Sequence, residues 1–71
     1  MSEQTPPILR YFKFSHLPEH LAAVSAPFAD LANQLVEGLP AGPELSVALR
    51  KLLESKDAAV RAALDLAPVE N

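Results

Sequence analysis

Apolar residues recur at spacings of 4, 3, 4, 3 and 4 through the first half of this sequence, and this pattern limits the fold more than any other feature. The residues concerned are Leu17, Leu21, Val24, Phe28, Leu31 and Leu35. Such spacing places side chains on one face of an α-helix, as in the seam between packed helices. The sequence therefore predicts a first helix from about His16 to Glu37, with Ser15 as its N-cap and Pro18 in its first turn.

Pro27 lies inside this pattern. A proline has no amide hydrogen, so the carbonyl of Ala23 loses its helical partner. A bend, or a short break between Val24 and Phe28, is the expected result. Because the apolar spacing keeps its phase across the proline, the sequence favours one bent helix over two separate ones.

A turn and a second helix follow. Residues 38–43 contain two glycines and two prolines, a composition that suits the connection of an antiparallel helical hairpin. Helix two is predicted from Pro43 to about Leu66, with Glu44 next to the positive end of the helix dipole. Its apolar stripe consists of Leu45, Leu49, Leu52, Ala59, Ala63 and Leu66. A second stripe flanks it, formed by Leu53, Val60, Leu64 and Ala67.

Charged residues on helix two raise two further expectations. Lys56 interrupts the apolar stripe, and its side chain can either extend to solvent or point into a ligand site between subunits. On the outer face, the spacing of four residues predicts ion pairs from Asp57 to Arg61 and from Arg61 to Asp65.

The predicted fold is all-α: an antiparallel two-helix hairpin, with helix one bent at Pro27, that assembles into a homo-oligomeric helical bundle. We divide the chain into an extended N-terminal segment, residues 1–14, a helical hairpin, residues 15–67, and a frayed C-terminus, residues 68–71. A chain of 71 residues without cysteine has a marginal core and no disulfide to support it. Both helices carry more apolar surface than one seam can bury, so a second copy is the expected cover.

Composition excludes several classes of function. The net charge of −3 argues against a long nucleic-acid partner, which requires a basic surface. No apolar run is long enough for a membrane span. His16 and His20 lack further ligands for a metal site, and no cofactor is expected. The sequence shows no catalytic triad, glycine-rich phosphate loop or carboxylate pair, so we predict that the protein is not an enzyme.

One short run of residues combines aromatic and basic side chains just ahead of helix one. It holds three of the four aromatic residues and two of the six cations. Aromatic rings stack on nucleotide bases, and Lys and Arg bind phosphate oxygens. The alternative is that these aromatic residues anchor the segment to the core. The candidate ligand-binding residues are Arg10, Tyr11, Phe12, Lys13, Phe14, His16 and, on helix two, Arg61.

The hairpin, the Phe14-Ser15-His16-Leu17 entry to helix one and the Arg61-Ala62 pair of helix two resemble the small phage anti-CBASS sponges, whose helical hairpin is shared with anti-Thoeris sponges. The resemblance covers about residues 14–63. It implies a phage-encoded, non-enzymatic homo-oligomer in the cytoplasm of the bacterial host, either a dimer or a higher assembly such as a hexamer. Its implied role in immune evasion is to sequester a cyclic dinucleotide, a cyclic trinucleotide or a cyclic ADP-ribose-type signal.

Two positions depart from that family pattern. Phe14 stands where the family has a tyrosine, and Ala29 stands where it has a lysine. The missing hydroxyl and the missing cation can be supplied by Arg10, Tyr11 and Lys13, which are close in sequence. The alternative function is a small helical protein–protein interaction module, or phage accessory adaptor, with no nucleotide ligand.

Overall fold

The computed structural model describes residues 6–65, and within that range the chain is all-helical, with no strand. A 3-10 helix, Pro7–Phe12, precedes two long α-helices, α1 (Glu19–Gly38) and α2 (Pro43–Asp65). The two α-helices pack against each other, and the 3-10 helix contacts both of them. The prediction of two long, packed helices joined by a short turn is therefore confirmed.

The N-terminal segment differs from the extended chain that the sequence predicts. Pro7 begins a 3-10 helix, in which the amide of Leu9 donates a hydrogen bond to the carbonyl of Pro6 (3.1 Å). A 3-10 helix repeats every three residues, so Leu9 and Phe12 share one face. Phe12 is buried at 2% exposure in the core, and Leu9 packs against that core. The apolar face of this short helix thus fixes the segment to the hairpin. Residues 1–5 lie outside the described range.

Helix α1 begins later than predicted. Its N-cap is Pro18, no side chain caps it, and the predicted capping role of Ser15 is wrong. The Pro18 carbonyl accepts hydrogen bonds from the amides of Leu21 (3.0 Å) and Ala22 (2.8 Å). Proline disfavours the helical conformation at the residue before it, here Leu17, so α1 starts only after Pro18.

Helix α1 continues through Pro27, so the break allowed by the sequence does not occur. Pro27 and Ala23 are both exposed. The Ala23 carbonyl that Pro27 leaves without an amide partner can therefore be hydrated, which lowers the cost of a proline inside the helix. The bend predicted at Pro27 stays a prediction.

The buried face of α1 is not centred on the predicted seam. Its buried residues are Leu21, Ser25, Ala29 and Ala32. Leu31, a member of the predicted seam, is 43% exposed. The small residues at the centre of this face allow a neighbouring backbone to approach closely, while Phe28, Leu35 and Val36 pack beside them as partly buried residues. The sequence pattern thus predicts the helix correctly, but most of the residues that α1 buries lie beside the predicted seam.

Helix α2 matches its predicted stripe more closely. Leu45, Leu49 and Ala63 are buried, and Leu52 packs partly buried against the core. The central core cluster combines residues of all three helices: Phe12, Ala29, Ala32, Leu45 and Leu49. The predicted helix end at Leu66 and the predicted frayed C-terminus lie outside the described residues.

The connection between α1 and α2 is short and uses its prolines as the sequence predicts. Leu39 is extended, as expected for a residue before proline, and its amide still bonds to the Leu35 carbonyl (3.0 Å). The Gly42 carbonyl accepts the first helical hydrogen bond of α2, from the amide of Ser46 (3.1 Å). Pro43 then occupies the first helical position, where its missing amide costs nothing.

Candidate functional site

A cleft of about 390 Å³ is lined by the 3-10 helix, the turn before α1 and the C-terminal half of α2. We call it the basic cleft. Its lining residues are Arg10, Tyr11, Lys13, His16, Leu17, Lys56, Asp57, Val60 and Arg61. Five of the seven candidate ligand-binding residues are therefore brought together, including Arg61 from the far end of the sequence.

The basic cleft concentrates the positive charge of an acidic chain. Four of the six Lys and Arg residues line it, and Asp57 supplies the one carboxylate that residues 6–65 contribute to the lining. With His16 neutral, the formal charge of the cleft is +3, although the whole chain carries −3. A concave surface with one sign of charge attracts small ions of the opposite sign. The cleft is therefore suited to an anion.

Arg10 and Tyr11 form a paired unit at the cleft. Arg10 donates a hydrogen bond from Nη2 to the Tyr11 hydroxyl (3.3 Å), and its guanidinium carbon lies 5.2 Å from the centre of the tyrosine ring. This hydrogen bond, followed by the charge of Arg10, lowers the pKa of the Tyr11 phenol from its ordinary value. The same interactions raise the pKa of Arg10. The Tyr11 side chain remains 54% exposed, so its ring is accessible to a ligand.

Lys56 and Asp57 form the second charged pair of the cleft. The Lys56 Nζ lies 3.1 Å from Asp57 Oδ1, and the Lys56 side chain is only 12% exposed while that of Asp57 is 48% exposed. The sequence-based ion pairs of Arg61 with Asp57 and with Asp65 are wrong: neither forms within residues 6–65. Asp57 is instead paired with its neighbour in sequence.

Phe12 and Phe14, the two phenylalanines of the aromatic and basic run, do not line the basic cleft. Phe12 is a core residue at 2% exposure, so its ring cannot stack on a ligand, and the anchor interpretation is correct for this residue. Phe14 is half-buried and packs against the core. It also lines a second cleft of about 490 Å³, to which Arg10 and Lys13 contribute as well. Arg10 and Lys13 therefore form the boundary between the two clefts.

Within residues 6–65, no group of three or more His, Cys, Asp and Glu side chains lies close enough together to hold a metal ion. Neither long helix combines the length and the apolar character that crossing a bilayer requires.

Comparisons with protein-family models, with curated proteins and with solved structures found no match for this chain. The function must therefore be inferred from the residues of the basic cleft.

The sequence leaves two positions open for Lys56, in solvent or in a ligand site between subunits, so Lys56 is not among the seven candidate ligand-binding residues. The signal for a ligand site is its place in the apolar stripe of α2, where a charged residue breaks the local pattern. Departures of this kind concentrate at functional sites. The structure places Lys56 beside Arg61, Lys13 and Arg10 in the lining of one cleft.

Proposed function

We propose that this protein binds a small nucleotide with two or more phosphates in the basic cleft and holds it without cleaving it. In this role it is a phage immune-evasion sponge that sequesters a cyclic nucleotide signal of the bacterial host. The observation that carries the proposal is that Arg10, Lys13, Lys56 and Arg61 line one cleft together with the exposed residue Tyr11.

Charge distribution favours a small ligand over a nucleic-acid polymer. Among residues 6–65, the cleft has a charge of +3 and the residues outside it sum to −4. A long phosphate backbone would meet this acidic surface as soon as it left the cleft, and its affinity depends on many phosphate contacts. A ligand with a few phosphates can remain within the cleft.

Tyr11 supplies a stacking surface for a base. Arg10 lies over its ring at 5.2 Å, and the side chain is 54% exposed. Stacking on an aromatic ring contributes about 1–3 kcal/mol per base. The Arg10 guanidinium has five N–H groups, of which one is used by the Tyr11 hydroxyl. The others can bind phosphate oxygens beside the stacked base.

Exposed apolar side chains on both helices support the proposal that the sponge is a homo-oligomer. Leu31 on α1 is 43% exposed, and Val47 and Leu64 on α2 are 49% and 52% exposed. Packing against further copies of the chain removes such side chains from water. An abundant oligomer that binds the signal tightly lowers its free concentration by mass action, so the host effector remains inactive.

A binding experiment tests this function. Thermal melting and calorimetric titration with a panel of cyclic dinucleotides, cyclic trinucleotides and cyclic ADP-ribose should identify at least one ligand that stabilises the protein. Arg61→Gln should weaken binding, whereas Arg50→Gln is the matched control, because Arg50 is also exposed on α2 but does not line the basic cleft. Mass spectrometry after denaturation should recover the ligand intact, and a protein-dependent cleavage product would contradict the proposal.

The exposed apolar residues also favour a second candidate, a protein–protein interaction module. Such a module uses the faces of α1 and α2 that carry Leu31 and Leu64, and it has no need of the cleft. The same panel distinguishes the two functions. A protein whose melting temperature is unchanged by every nucleotide, and whose affinity for a protein partner falls on substitution of Leu31 or Leu64, is an interaction module.

A further inference from the structure

Lys56 has surroundings unlike those of an ordinary surface lysine. It lies in the apolar stripe of α2, and only 12% of its side chain is exposed. Lys51, five residues earlier on the same helix, has 72% of its side chain exposed and lies 3.8 Å from Glu54. Lys56 therefore has most of its side chain removed from water, although it is one of the residues that line the basic cleft.

The two members of the Lys56–Asp57 ion pair differ in how much of each side chain is exposed to water. Consecutive residues of an α-helix point about 100° apart, so they do not normally face each other. Here the pair forms because the Lys56 side chain turns toward Asp57 and brings Nζ to 3.1 Å from Oδ1. A lysine side chain with so little exposure is stabilised by an anionic partner. Asp57, with 48% of its side chain exposed, can instead be solvated by water.

We propose that Lys56 is a principal phosphate-binding group of the basic cleft and that Asp57 is an internal counter-ion which the phosphate displaces. This inference deepens the proposed function and rests on it for the class of ligand. In the free protein, Asp57 neutralises Lys56. On binding, a phosphate group takes the place of the carboxylate, and the Asp57 side chain moves into solvent. Arg10, Lys13 and Arg61 contact the remaining phosphate oxygens.

Inorganic pyrophosphate is the probe for this site, because it carries the charge of the ligand without its bases. Titration of the full chain is followed by calorimetry. Lys56→Met should weaken binding by about 10- to 100-fold, the range for loss of a hydrogen bond to a charged group. Lys51→Met is the matched control and should leave binding unchanged. Asp57→Asn should tighten binding by up to about fivefold, since it removes the half-exposed carboxylate that competes with the phosphate for Lys56.

Thermal melting separates this role from a structural one. Lys56→Met restores an apolar side chain to the stripe of α2, so its melting temperature should equal or exceed that of the parent chain while its affinity falls. The inference is overturned if Lys56→Met and Lys51→Met bind pyrophosphate equally, or if Asp57→Asn fails to bind it or binds it more weakly than the parent chain does.

Two results separate the role of Lys56 in anion binding from the sponge function. Pyrophosphate binding that depends on Lys56, together with no affinity for any cyclic nucleotide, supports the anion site and contradicts the sponge. Cyclic nucleotide binding that is unaffected by Lys56→Met supports the sponge and contradicts the role of Lys56.

Discussion

Arg10 both donates a hydrogen bond to the Tyr11 hydroxyl (3.3 Å) and lies over the ring of Tyr11, with its guanidinium carbon 5.2 Å from the ring centre. Consecutive residues of a 3-10 helix point about 120° apart, so the long Arg10 side chain must fold back along the helix to reach the ring. The pair thereby holds a cation and an aromatic ring together before a ligand arrives. Such preorganisation reduces the cost of ordering these groups on binding.

The Arg10–Tyr11 pair predicts a shifted phenol titration. Tyr11 is the only tyrosine, and the chain has no tryptophan, so phenolate absorbance reports on this one residue. The hydrogen bond and charge of Arg10 lower the pKa of Tyr11, and its titration midpoint should lie below that of a free phenol. Arg10→Gln should raise the midpoint, whereas Arg50→Gln should leave it unchanged. A midpoint that does not respond to Arg10→Gln contradicts the pairing in solution.

The sign of this shift also determines where it can affect stability. A group whose pKa is lowered in the folded state adds stability only at high pH, fully above its unfolded pKa of about 10, and loses it as the pH falls through the folded value. The Arg10→Gln substitution should therefore remove stability only at high pH, where the phenol ionises, and unfolding measured as a function of pH checks this sign.

The opposite burial of Phe12 and Tyr11 predicts that alanine substitutions at these adjacent positions will have different effects. Phe12 is 2% exposed and Tyr11 is 54% exposed. Phe12→Ala should lower the free energy of unfolding by about 3–5 kcal/mol, with or without ligand. Tyr11→Ala should weaken nucleotide binding by about 1–3 kcal/mol and leave the melting temperature nearly unchanged. Denaturant unfolding and calorimetric titration of the two variants measure these effects. A loss of stability for Tyr11→Ala equal to that for Phe12→Ala would show that Tyr11 is an anchor.

The apolar pattern predicts the buried residues of α2 better than those of α1, for a physical reason. In α2, the largest apolar residues are leucines, and leucines also make the contacts with the core. The heptad pattern therefore predicts the burial of Leu45 and Leu49 correctly. In α1, the contact line runs through Ser25, Ala29 and Ala32. Small residues carry little hydrophobic signal, although they allow the closest approach of two helices. A pattern of large apolar residues therefore cannot identify such a contact line.

The candidate site was predictable only in part, because its residues come from separate elements. Arg10, Tyr11 and Lys13 were identified by their aromatic and basic composition, and the structure places all three in the basic cleft. The burial of Phe12 depends on the 3-10 helix Pro7–Phe12. This helix has only six residues, which is too few for its periodicity to be recognised in the sequence. The break in the apolar stripe marks Lys56 as unusual, but its place in one cleft with Arg10 depends on the packing of α2 beside this helix, which no local pattern encodes.

The hydroxyl of Ser25 predicts a stabilising substitution. Ser25 is fully buried, and its Oγ has no hydrogen-bond partner among residues 6–65. A buried hydroxyl without a partner destabilises the folded state, and alanine has the higher helix propensity. Ser25→Ala should therefore raise the free energy of unfolding by about 1 kcal/mol, or the melting temperature by about 4–8 °C. The reverse change at Ala32, one heptad later on the same buried face, should lower stability by about 1–3 kcal/mol. Thermal melts of Ser25→Ala and Ala32→Ser provide the comparison, and a destabilised Ser25→Ala would indicate an unrecognised partner for the hydroxyl.

A substitution at Leu31 can distinguish the stability of the single chain from the assembly of several chains. Because its side chain is 43% exposed in the hairpin, Leu31→Asp should change the free energy of unfolding of one chain by only about 0.5 kcal/mol. If Leu31 instead packs against another copy, the introduced carboxylate is buried without a partner in the assembly, which is strongly unfavourable. We therefore expect sedimentation equilibrium to show a homo-oligomer for the parent chain and a helical monomer for Leu31→Asp.

Ser55→Asp is the control for this last prediction. It adds the same charge at an exposed polar position of α2, so a general effect of negative charge on assembly should appear in both variants. Circular dichroism distinguishes dissociation from unfolding, because the hairpin should keep its helical signal after the assembly is lost. If Leu31→Asp sediments as the parent chain does, Leu31 is not at an interface between copies. If the parent chain itself sediments as a folded species of 7.6 kDa, the homo-oligomer proposed for the sponge is wrong.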